Sequence, residues 1–199
     1  MLVIQAHMSS PRDDDQLLRA FAGGDTCAFE ELVGRYGGAL KGYALRMLQS
    51  PQQAEEVYTE TFLRVATHRG AWENRGTVRG WLFTIAHRLC IDILRQRKVA
   101  RDAVPHLVDL STVRPCPPSP EAQMVLRERA AMLEEGLARL PEEHRQVLLM
   151  RVVHGLSAAE TGAALSLTES QVHSELSYAR KRLREHLAEA EPERRLEER

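Results

Sequence analysis

The chain has 199 residues, 43% hydrophobic and 28% charged, with 27 Lys and Arg against 28 Asp and Glu for a formal charge of -1. That length holds one or two modest cores, and the balance excludes a uniformly basic coat, a collagen-like chain or a disulfide-built scaffold. No apolar run approaches the roughly 20 residues that span a bilayer, and MLVIQAHMSSPRDDDQ shows no basic stretch leading an apolar one, so an unexported, cytoplasmic protein is expected.

Residues 1–12 read as a tail. Over 13–101 the apolar spacing is helical and strand alternation never persists, which predicts a helical domain. Asp13, Asp14 and Asp15 precede Leu17, Leu18 and Phe21, as suits a helix N-terminus, and Gly23-Gly24 stops the run. A second helix begins at Asp25 or Thr26 and carries Phe29, Leu32, Val33, Tyr36, Leu40 and Tyr43 in one stripe. Ser50 caps a third, with Pro51 at its first position and Val57, Phe62, Leu63 and Ala66 along one side. After a loop at 70–77, a helix from about Thr77 to Arg97 turns Trp81, Leu82, Ile85, Leu89, Ile93 and Leu94 inward.

Residues 75–101 hold seven basic side chains against one acid, Asp92. Such a stripe suits a polyanion partner, although an ordinary solvated face has the same composition. Between 102 and 121, Arg114-Pro-Cys-Pro-Pro-Ser-Pro120 reads as an extended linker. A second helical domain is expected over 122–187. Met124, Leu126, Leu133, Leu137 and Leu140 mark one helix, Pro141 opens another, and Val147, Leu148, Met150 and Val152 run to Gly155. Residues 188–199 alternate acid and base, as a charged, solvated tail does.

Two capping boxes, Ser157-Ala-Ala-Glu160 and Thr168-Glu-Ser-Gln171, bracket a short helix, a turn at 165–167 and a longer helix. This is a helix-turn-helix layout. Val172, Leu176, Ala179 and Leu183 hold the second helix to its core, leaving Gln171, His173, Ser174, Glu175 and Tyr178 to meet base edges and the run Arg180, Lys181, Arg182 and Arg184 to meet phosphates. A helical hairpin used for protein contacts would look similar. The fold class expected is therefore all-α: two small helical domains joined by a proline-rich linker, the second with a helix-turn-helix.

No nucleophile-base pair, phosphate-binding Gly loop or metal cluster is evident, the eight histidines are scattered, and Cys27, Cys90 and Cys116 form no pair, so no enzymatic activity, cofactor or metal is expected.

The ordered strings Ala28-Phe-Glu-Glu-Leu-Val33, Ala54-Glu-Glu-Val57, Glu60-Thr-Phe-Leu-Arg-Val65, Arg79-Gly-Trp-Leu-Phe83, Asp92-Ile-Leu-Arg95, Leu140-Pro-Glu-Glu143, Arg145-Gln-Val-Leu-Leu149, Gly155-Leu-Ser157 and Ala179-Arg-Lys-Arg-Leu-Arg184 carry a resemblance. Over about residues 13–187 the chain resembles a bacterial RNA polymerase sigma factor of the extracytoplasmic-function type, with regions two and four of the sigma-70 family. The resemblance implies a specificity subunit for transcription initiation, binding core RNA polymerase and promoter DNA and held by an anti-sigma factor. It implies polymerase contact by Glu56, Tyr58, Thr59, Glu60 and Phe62, with Phe62 an apolar anchor; the same stripe also runs inward, which would make Phe62 a core residue. Minus-ten contacts fall to Trp72, Arg75, Arg79, Arg88 and Arg95, and minus-35 contacts to Thr168, Gln171, His173, Ser174, Glu175, Tyr178, Arg180 and Lys181.

Thr59, Arg88, Ser166, His173 and Glu175 depart from what the family often carries at these places. A carboxylate facing DNA repels phosphate unless it accepts from a cytosine amine. A second reading follows: a sigma-like interaction module that binds an anti-sigma factor or polymerase without reading promoters. A stand-alone repressor of this motif needs a dimerisation element, and none is evident.

Overall fold

A computed structural model describes residues 12–68, 76–103 and 120–197. Trp72, Arg75, Cys116, the tail before Arg12 and nearly all of the proline-rich stretch lie outside them. The described residues are helical, with no strand among them.

Helix α1 (Asp14–Ala22) opens on a capping box in which Asp13 accepts from Gln16 N and Gln16 accepts from Asp13 N. Asp25 caps α2 (Thr26–Leu48), and Ser50 with Pro51 opens α3 (Pro51–Thr67). Helix α4 (Val78–Ala103) runs beyond Arg97, where the apolar stripe suggests an end. Helix α2 packs on α1, α3 and α4. Leu17, Leu32, Leu40, Tyr43, Met47, Leu48, Val57, Leu82 and Phe83 are buried there. Burying each such side chain stabilises the fold by about 1.5–3 kcal/mol before conformational entropy is counted.

The second half contains α5 (Pro120–Arg139), α6 (Glu142–Leu148), a π turn over Leu149–Val153, α7 (Ala158–Leu165) and α8 (Glu169–Glu197). Leu137, Val147, Leu149, Met150, Leu156, Val172, Leu176 and Ala179 are buried among them. The wider π turn adds a residue to the helical repeat. Val152, four residues after the buried Leu148 and so on its side by helical spacing, is accordingly turned out and half exposed.

The halves are packed together, α4 against α7 and α2 against α5 and α6. This packing explains Phe83, which lies beside the predicted inward stripe of α4 and yet is fully buried. Its ring meets Tyr43 from the first half at 5.6 Å and His154 from the second at 4.9 Å.

Candidate nucleic-acid interface

Helix α3 turns an outer face to solvent. Glu56, Thr59 and Leu63 are exposed on it, with Glu60 partly so, and Glu60 pairs with Arg64 at 2.8 Å. Phe62 is not on this face: it is 6% exposed, edge-on to Phe29 at 6.0 Å and Tyr58 at 5.3 Å. The apolar stripe runs inward at this point, which corrects Phe62 as a surface anchor. Its neighbour Leu63, 53% exposed, is the apolar side chain that the face offers. Tyr58 is half-buried over Gly37, where a Cβ would come within 2.9 Å of its ring.

On α4, Arg88 and Arg95 project into solvent. Asp92 is 3.9 Å from Arg95, and both are well exposed, so this pair leaves the guanidinium accessible. Arg79, one of the predicted strand contacts, is only partly exposed, with Nη2 facing Gly155 of the second half. Trp81 is partly buried against the core.

The helix-turn-helix is present as α7 and α8. Ser157 and Glu160 complete one capping box at 2.6 and 3.1 Å, and Thr168 and Gln171 the other at 2.8 and 3.2 Å. Ser166 sits between them with φ 58°, a left-handed conformation. Gly162 is required by close approach, since a Cβ there would lie 2.5 Å from the Leu167 carbonyl oxygen.

Val172, Leu176 and Ala179 anchor α8, so Gln171, His173, Ser174 and Tyr178 are exposed. Gln171 Oε1 accepts from both the amide and the hydroxyl of Thr168, at 2.8 and 2.9 Å. Its side-chain amide nitrogen therefore remains as the donor on this exposed face. Glu175 departs from the expected picture of an unpaired carboxylate facing DNA, because its Oε2 lies 2.5 Å from His144 Nδ1 of α6. Tyr178 covers the same imidazole at a centroid distance of 4.3 Å. Arg180, Lys181, Arg182 and Arg184 follow, all exposed.

Beside α8, Leu133, Leu137, Leu148, Val152, Val153, Leu183 and Leu187 line an apolar groove of about 480 Å³ with Arg180 and Arg184 at its rim. Sequence reasoning missed it, because Leu133 and Val152 carry an ordinary core signal and only the π turn brings Val152 and Val153 outward. Among the described residues no cluster of His, Cys, Asp or Glu is arranged for a metal, and no helix is long and apolar enough to cross a membrane.

Comparison with known proteins bears on these surfaces. Residues 32–99 match the family model of sigma-70 region 2, and residues 130–183 that of sigma-70 region 4. The ECF RNA polymerase sigma factor SigE of Mycolicibacterium smegmatis is 32% identical over 84% of this chain, which spans 65% of that protein's length. SigM of Mycobacterium tuberculosis, another ECF RNA polymerase sigma factor, is 32% identical over 86% of this chain and 83% of its own. The fold is that of the sigma factor RpoE of Bartonella quintana, solved with the anti-sigma factor NepR, with TM-score 0.67, 20% identity, and 80% of this chain and 96% of that one covered. Two region matches in chain order, on the domains that carry the basic helix and the helix-turn-helix, together with relatives such as SigM, place the chain in the sigma-70 family: it is an ECF RNA polymerase sigma factor, a DNA-binding subunit of transcription initiation.

Proposed function

We propose that the domain over 13–101 docks on core RNA polymerase through the outer face of α3 and holds the melted minus-ten strand along α4, while the domain over 122–187 grips the minus-35 duplex with α8. The observation that carries this is the layout of α8: exposed Gln171, His173 and Ser174 on its first turns, then four exposed basic residues, on a helix held from behind by Val172, Leu176 and Ala179. Early positions specify and later ones bind the backbone.

Glu56, Thr59, Glu60 and Leu63 form the polymerase contact, an apolar residue within a polar rim. Arg88 and Arg95 meet the strand's phosphates, and Arg79 joins them when the second domain moves away. The protein supplies specificity and leaves catalysis to polymerase, in the bacterial cytoplasm. An anti-sigma factor holds it until a signal releases it, a reading supported by the complex of RpoE with NepR. The groove beside α8, apolar with a basic rim, suits an amphipathic helix with acidic flanks on such a partner.

Run-off transcription tests this with purified core polymerase, the full chain and fragments of its own genome. Transcript starts that share two spaced upstream elements are expected. Binding to polymerase without any protein-dependent start would make the chain an interaction module instead.

A further inference from the structure

Glu175 is the only acid between Gln171 and Arg180 of α8. It stands three positions after the buried Val172 and one before the buried Leu176, at the margin of the helix face that packs on the core. Its side chain is 34% exposed, yet one oxygen, Oε2, is shut off from solvent against α6, 2.5 Å from His144 Nδ1. His144 Nδ1 is shut off as well, and neither atom has a hydrogen bond to any other group. Nδ1 therefore carries a proton toward the carboxylate, because two bare acceptors would repel each other at that distance.

The imidazole is fixed from behind and from the side. Its own helix is seated by Val147 and Leu148, both buried, so its position is set by backbone outside the helix-turn-helix. Tyr178, three residues beyond Glu175 on the same side of α8, lies across the ring with centroids 4.3 Å apart and planes tilted by 41°. Glu175 and Tyr178 thus take His144 between them. Arg180 and Lys181 follow directly and are exposed. A carboxylate freed at position 175 stands within two turns of these cations, inside the roughly 8–10 Å over which charges act at ordinary salt.

We infer that His144 is a positioning residue for minus-35 binding: by engaging Glu175 it keeps the acid of the reading helix turned toward α6 and away from the duplex, and it backs the Tyr178 ring. Without His144, Glu175 Oε2 is left buried with no donor, a state the side chain escapes by turning outward across its exposed edge. The freed carboxylate then repels the phosphates that Arg180 and Lys181 attract. When Glu175 is absent as well, there is no charge to release and loss of His144 has nothing to unmask. The inference rests on the reading of α8 as the helix that enters the minus-35 duplex, and it adds a residue from a helix that does not enter.

A double-mutant cycle tests it in the full-length chain bound to core polymerase, with a promoter fragment recovered by run-off transcription as the probe. His144→Ala should weaken promoter binding roughly tenfold in the parent, but less than about twofold in a chain that already carries Glu175→Ala. The loss in the parent should shrink as salt rises from about 0.05 to 0.3 M, because repulsion between carboxylate and phosphate is screened. His144→Asn, whose amide nitrogen stands near the place of Nδ1, should recover most of the affinity. Unchanged binding by His144→Ala overturns the role. So does an equal loss in both backgrounds, which is what a clasp that only holds α6 to α8, or a misfolded variant, would give. A loss that salt leaves untouched overturns it too. A parent chain that yields no protein-dependent start sinks the sigma-factor reading, and the role of His144 with it, whereas a parent that initiates without coupling between His144 and Glu175 loses that role alone.

Discussion

Neighbouring side chains on α3 have opposite surroundings. Phe62 sits among Phe29, Tyr58 and the first domain's core, while Leu63 faces water. Phe62→Ala should lower stability by about 3–5 kcal/mol in denaturant unfolding, as aromatic truncation in a packed core does. Leu63→Asp should leave stability within about 0.5 kcal/mol and weaken core polymerase binding by roughly thirtyfold, the cost of losing about 2 kcal/mol at an interface anchor. Wild-type affinity of Leu63→Asp would assign the docking surface elsewhere. Helical spacing places both residues on α3 but leaves the orientation of Phe62 undecided, because positions 62 and 63 stand at the edge of the apolar stripe. Glu175 shows the same limit: its helix face is legible, whereas the His144 that engages it lies 31 positions earlier on α6.

At the scale of elements, capping chemistry is local and therefore open to reading in sequence. Asp13 with Gln16, Ser157 with Glu160 and Thr168 with Gln171 each lie three residues apart, and all three boxes are formed. The turn between α7 and α8 is less comfortable, because Ser166 holds φ 58° without being glycine. A left-handed residue with a Cβ costs about 1–2 kcal/mol, part of which glycine returns as unfolded-chain entropy. Ser166→Gly should therefore raise stability by about 0.5–1 kcal/mol, measured as a higher melting temperature. Gly162→Ala should lower it, since the Leu167 carbonyl leaves no room for a methyl. On the proposed function, the basic run of α8 acts separately from the residues of its first turns. Replacing Lys181 and Arg182 by Ala should reduce affinity for minus-35 duplex with little change in sequence preference, and should flatten the salt dependence by about one unit of slope for each phosphate no longer neutralised. An unchanged slope would show that these cations point away from DNA. The π turn has no such signature, since its residues have ordinary core composition and the extra residue per turn is settled by packing.

For the whole molecule, the boundary between domains is the part least visible in the sequence. His154, Glu160 and Thr77 have no periodic relation, and Phe83 simply broadens the apolar side of α4. That boundary has a pH dependence whose direction follows from His154. Burial between Tyr43 and Phe83 lowers its pKa from 6.5 to about 4, helped by the charges of Arg46 on α2 and Arg79 on α4. Opening returns the imidazole to water and to its ordinary value, so the open form binds a proton that the closed form excludes. The contribution of His154 to closure is fully present above about pH 6.5 and is lost as pH falls from there toward about 4. Between pH 7.5 and 5.5 the ratio of open to closed chain should rise roughly tenfold. Two other groups near this boundary have lowered values, and both lie outside the interval from pH 7.5 to 5.5. Burial lowers His87, bonded to Tyr43 at 3.0 Å inside the first domain, to about 4. Glu160 has a carboxyl already held below 4.5. Energy transfer between labels at Gln52→Cys and Ser177→Cys, with Cys27 and Cys116 replaced by Ser, reads the opening in the free chain. His154→Phe keeps an aromatic ring between Tyr43 and Phe83 with no proton to take up, so its energy transfer should be flat from pH 7.5 to 5.5. A variant that opens with acid as the parent does would move the titrating group away from His154.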